Sequence, residues 1–167
     1  DGQRTNLTLD ANRHLTTVTN PAGEIYLMRY TAGGLLTDFT RPEGNTNAFT
    51  HAADGRLRTD VDAEGGGWVI GREEGEGYAV STLTSAEGRV NQFRLDYLAT
   101  GERVHTNTAP DGTVSVTRHT PGADEISQYP NGVRTRISEG PDPRFGMQSP
   151  VPETVLTTTP GGLSREV

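Results

Sequence analysis

Cysteine and lysine are both absent from this 167-residue chain. Without cysteine there is no disulfide, no thiolate nucleophile and no Cys-ligated metal site. The 15 basic residues are all arginine and are spread evenly, and the net charge is −7 with a pI near 5.0. That excludes the basic footprint that nucleic acid or an anionic membrane surface requires. No apolar run approaches the roughly 18 residues that span a bilayer. Apolar side chains are themselves scarce: Leu, Ile, Val and Phe make up 32 of 167 residues. So small a share borders on the composition of disordered chains, but disorder usually also needs a strong net charge, and −7 over this length is moderate. The opening Asp1-Gly-Gln-Arg-Thr-Asn6 shows neither an initiator Met nor a signal-peptide pattern, so the sequence reads as a segment of a longer chain.

What is abundant points to strands. There are 24 threonines, 21 glycines and 10 prolines. Threonine favours strands, while so much Gly and Pro suits a chain that turns often and forbids long helices. The turns recur. A Gly preceded two positions earlier by Pro or Ala appears at Gly23, Gly44, Gly65, Gly88, Gly112 and Gly132, in steps of 21, 21, 23, 24 and 20 residues. A second series lies between them: Leu9 to Leu15, Tyr30 to Leu36 and His51 to Leu57 align without gaps, with weaker copies at Gly71–Gly75 and Tyr97–Gly101. Each period therefore holds two turns and two strands of about six residues, with the two-residue alternation of half-buried strands. The expected fold class is all-β: repetitive antiparallel β-hairpins of about 21-residue period, about thirteen strands in all, with no amphipathic stripe of helical period.

The pattern Pro-x-Gly, an aromatic strand ending in Tyr, then Ala/Asp-x-Gly-Arg-Leu resembles the YD repeat of the Rhs family. That family includes bacterial polymorphic toxins, shell subunits of insecticidal toxin complexes and the animal teneurins. The best copies run from Pro21 to Thr37 and from Pro42 to Thr59; the likeness covers residues 3–139 and loosens after Gly65. The Tyr-Asp dipeptide itself is replaced by Tyr30-Thr, His51-Ala and Tyr97-Leu, and only Asp10 keeps the acid.

The resemblance implies hairpin repeats spiralling into a hollow β-shell, secreted or at the cell surface. Such shells enclose a toxin or effector polypeptide or act as an extracellular scaffold. The implied partners are flanking repeats or other copies of the chain, joined by β-edge pairing. The expected organisation is YD/Rhs-type repeats over 1–139, a Pro-rich irregular loop over 140–152 and the start of a further β repeat over 153–167. A proline cannot donate to a sheet ladder, which is why four of them between Gly140 and Pro152 suggest a loop.

Candidate chemistry is thin. Asp60-Val-Asp62-Ala-Glu64-Gly65 opens like a calcium loop but has Gly71 where a bidentate Glu is required. Glu73, Glu74 and Glu76 surround one turn, where paired carboxylates lack the cleft that glycoside hydrolysis needs. His14, His51, His105 and His119 are 37, 54 and 14 residues apart, none at zinc-motif spacing. Phe39, Phe49, Trp68, Phe93 and Phe145 read first as large side chains of a thin core and second as stacking platforms for sugar. Asn6-Leu-Thr8 is formally a glycosylation acceptor. No residue is assigned as catalytic, cofactor-binding or metal-binding, and no enzyme, nucleic-acid or membrane-inserting role is expected. The expected function is a non-catalytic segment of a β-shell. The alternative is a surface adhesion module that binds carbohydrate or protein, and a hydrolase using acids from 60–76 is a distant third.

Overall fold

The computed structural model describes residues 2–167, built of strands and turns without a helix. The strands are β1 (Asn6–Leu9), β2 (Leu15–Thr19), β3 (Ile25–Tyr30), β4 (Leu36–Thr40), β5 (Thr46–His51), β6 (Leu57–Val61), β7 (Gly67–Gly75) and β8 (Tyr78–Ser85). They continue as β9 (Val90–Tyr97), β10 (Arg103–Thr108), β11 (Val114–His119), β12 (Asp124–Gln128), β13 (Arg134–Asp142), β14 (Gly146–Thr158) and β15 (Ser164–Glu166). They form one 15-stranded sheet in chain order, an antiparallel meander with β1 and β15 at the ends of the order. The all-β hairpin architecture is as expected, with fifteen strands where the repeats suggest about thirteen. Contacts divide the chain into two compact units, Asp1–Gly71 with Leu83–Arg89 and Arg72–Thr82 with Val90–Val167, so the division passes through β7 and β8.

One loop design is used almost throughout. At Arg41–Asn45 the first N–H donates to the fifth carbonyl at 2.9 Å, and the fourth N–H donates back to the first carbonyl at 2.9 Å. Among the described residues the same pair of bonds closes twelve of the fourteen loops. This is a type I turn followed by a left-handed residue, the three-residue hairpin whose last position favours Gly. Ten of the twelve have Gly there; Arg13 (φ 68) and Ala123 (φ 62) are the exceptions. Only that position has positive φ: Asp54, Asp111 and Asn131 remain on the ordinary side and instead accept the N–H two residues on. In other loops the first residue does the capping. Asp10, Asn20 and Asp62 each hold two loop N–H groups on one side-chain oxygen.

The irregular loop expected over 140–152 is not present. Strand β13 runs to Asp142, a short turn follows, and β14 starts at Gly146, with Glu139 opposite Pro152 and Gly140 opposite Val151. Past Glu139 on one side and Val155 on the other, these two strands pair only with each other. A two-stranded ribbon leaves its outward N–H groups without ladder partners anyway, so proline there forfeits little. Phe145 and Met147 project from its tip, 61% and 56% exposed.

Burial is slight. Among the described residues Val104 is the one buried hydrophobic side chain and Ser127 the one buried polar side chain. The accessible surface is 11655 Å², against roughly 8,000 Å² for a compact monomer of this mass. Cohesion therefore lies in the ladders and in cross-strand side-chain pairs. Hydroxyls meet across strands at Thr40–Thr46 (2.8 Å), Thr50–Thr59 (2.6 Å), Thr117–Ser127 (2.9 Å) and Thr158–Ser164 (3.1 Å). That is the structural use of the many threonines.

Candidate functional site

In the first unit, strand alternation sorts the side chains into two unlike faces. Directly paired residues of antiparallel strands share a face. Val18 pairs with Tyr26, Met28 with Phe39, Phe39 with Asn47, Phe49 with Asp60 and Asp60 with Trp68, so all of these lie on one side. The other side carries Thr17, Leu27, Thr40 and Thr46 in one row and Thr50, Thr59 and Val69 in another. The first face is aromatic. Tyr26 and Phe39 stack at 6.1 Å with planes 22° apart, and the His14 and Tyr30 rings lie 5.0 Å apart. Trp68 is 41% exposed. Among these rings sits one polar pair: the Asn47 amide donates to Asp60 Oδ1 at 3.2 Å.

The second unit carries two polar clusters. On one face the Arg94 guanidinium lies 4.6 Å over the Tyr78 ring and binds Asp96 at 2.6 Å, while the Tyr78 hydroxyl donates to Glu73 at 2.7 Å. The bond to Glu73 raises the Tyr78 pKa above its ordinary value, and the Arg94 bonds hold Asp96 below its own. On the opposite face the His105 and His119 rings meet edge-on at 5.1 Å, and His119 Nδ1 is 3.8 Å from Glu125. Desolvation, then the nearby His119 and Arg103, lower the His105 pKa. Ser127 shares its hydroxyl with Thr117 and Glu125, with no histidine bonded to it.

The residues singled out from the sequence are scattered by this geometry. Asp60 faces Trp68, Asp62 caps its own loop through the N–H groups of Glu64 and Gly66, and Glu64 is exposed in the turn. Glu73 and Glu74 point to opposite sides of β7 by alternation, Glu73 to Tyr78 and Glu74 to Arg72, while Glu76 is in the turn beyond. Among the described residues no group of three or more His, Asp or Glu side chains is placed to hold a metal ion. His51 leaves Nδ1 buried without a partner among the described residues. Phe93 is half-exposed, Phe145 is at the ribbon tip and Asn6 is exposed in β1.

Two contacts escaped the sequence reading. The pairing of His105 and His119 needs reflection about the Asp111-Gly112 turn, which sets His105 opposite Thr117 and His119 opposite Arg103. The Asn47–Asp60 bond needs the β5–β6 register, which slips by one residue between Thr50 and His51. The chemistry on offer is stacking and hydrogen bonding on an extended face. No family model matches the sequence, and no curated protein is found similar to it.

Proposed function

We infer that the chain is a structural strip of a larger β-shell of the Rhs/YD-repeat kind, secreted or displayed at the cell surface. It would enclose a toxin or effector or serve as an extracellular scaffold, and its partners are flanking repeats or further copies, added at its terminal strands. One observation carries this reading: a fifteen-stranded meander in which Val104 is the one buried hydrophobic side chain among the described residues. A sheet whose both faces stay accessible gains most of its stability from repetition along its length, as repeat architectures do. The recurring three-residue loop supports the same reading, since it makes successive hairpins interchangeable.

Strand addition at β1 tests it. Leu7 and Leu9 are 64% and 56% exposed there, and no charge lies between Asn6 and Leu9. The −7 charge opposes association at long range but is screened beyond about 8 Å at physiological salt. Light scattering across a salt series should show association rising with salt. A strict monomer at high concentration in both low and high salt overturns the reading.

A further inference from the structure

We propose that the aromatic face of the first unit is a binding platform for a neutral, β-linked polysaccharide, centred on Trp68 and the Asn47–Asp60 pair. The platform lies within the sheet, so it does not depend on the shell reading.

Three observations point to sugar. First, Trp68 is the one tryptophan of the chain, and 41% of it is left in solvent. A flat π-face with negative quadrupole suits the C–H face of a pyranose ring, whose hydrogens carry partial positive charge. Second, Asp60 stands between Phe49 and Trp68 on the same face, and among the described residues its one side-chain bond is that donated by Asn47 at 3.2 Å. Its second carboxylate oxygen and the rest of the Asn47 amide are free to meet vicinal hydroxyls, which both donate and accept. An apolar protein surface laid here would bury those groups without partners, a cost that sugar hydroxyls remove. Third, the rings spread across the sheet: Tyr26 and Phe39 stack on β3 and β4, Phe49 lies on β5 and Trp68 on β7, with Asp60 of β6 between the last two. A sheet face favours a ribbon-like polymer with equatorial linkages over a single sugar. Charge selects further, because Asp60 and a chain of net charge −7 repel acidic glycans.

Depletion of the full chain from solution by microcrystalline cellulose and by chitin tests the platform, with heparin as the acidic comparison. Saturable binding to at least one neutral polymer is expected. Trp68→Ala should lower affinity about tenfold or more through lost stacking, and Asp60→Ala should lower it with the rings still in place. Ile25→Ala, on the opposite face, should leave it unchanged. No saturable binding to either neutral polymer, binding to heparin alone, or wild-type affinity in Trp68→Ala overturns the proposal. Should Trp68→Ala fail to fold by circular dichroism, folded Asp60→Ala decides, and wild-type affinity there overturns it equally.

Discussion

The Tyr30 hydroxyl donates to the Leu15 carbonyl at 2.8 Å, tying the end of β3 back to the start of β2 across fifteen residues. The same ring packs against His14, which Asp10 holds through both its backbone N–H and its Nδ1. A tyrosine at the strand end thus fastens one loop to the next. Tyr30→Phe keeps the ring and deletes the bond, leaving a part-buried carbonyl with one partner fewer. A loss of about 1 kcal/mol is expected in chemical denaturation.

Positions of positive φ make a second, graded prediction. A Cβ at Gly44 would meet nothing within 4 Å, so Gly44→Ala should cost only the conformational strain, about 1 kcal/mol. At Gly67, with φ +155, a Cβ would overlap the Asp60 carbonyl oxygen, and backbone there must move. Gly67→Ala should be clearly the more damaging. Ala123 has the converse problem at φ 62, and Ala123→Gly should stabilise by up to about 1 kcal/mol. Thermal melts of the three variants order these effects.

Acid should lower the stability of the chain in two pH windows. His105 has a folded pKa below its ordinary 6.5, so its neutral form is the one folding favours. That contribution is complete above pH 6.5 and is lost as pH falls through the lower folded value. His119, Arg103 and Glu125 are the ionisable groups that act on it, and His105→Gln should abolish the loss in this first window. The second window belongs to carboxylates. Asp124 is held below 3.8 by the Ser138 hydroxyl and then Arg136, Asp111 by Thr113, and Asp10 by the His14 N–H. Their stabilisation is present above pH 3.8 and disappears as pH drops through their folded values. Denaturant midpoints measured from pH 8 to 2 should fall in those two windows.

Hydrogen exchange should single out the ribbon. Amides of 140–152 belong to a lone pair of strands, which is marginal in water. They should exchange at least about a hundredfold faster than those around Val104 and Ser127, where ladders run on both sides.

The sequence was informative where chemistry is local. A glycine at a left-handed loop position is dictated by sterics within five residues, so Gly23, Gly44 and Gly55 announced their turns. Along Ile25–Tyr30 the sequence offered a strand rich in apolar residues on both parities, and it is the structure that sorts them, with Tyr26, Met28 and Tyr30 half-buried and Ile25, Leu27 and Arg29 exposed. The stretch from Gly140 to Pro152 misled because the rule against proline assumes a strand with neighbours on both sides, and here each strand has one. Asn47 and Asp60 gave no signal, since their bond spans thirteen residues and depends on a bulge that shifts the register between Thr50 and His51.

Because every strand pairs only with the strands just before and after it in the chain, no contact in the ladder waits for a distant segment to arrive. Each loop that must close is a few residues long, so the entropy of closure is small and is met hairpin by hairpin. Such a chain can zip progressively as it emerges from a ribosome or a secretion channel. Pulled from its ends, it should come apart in the same increments, one hairpin per step.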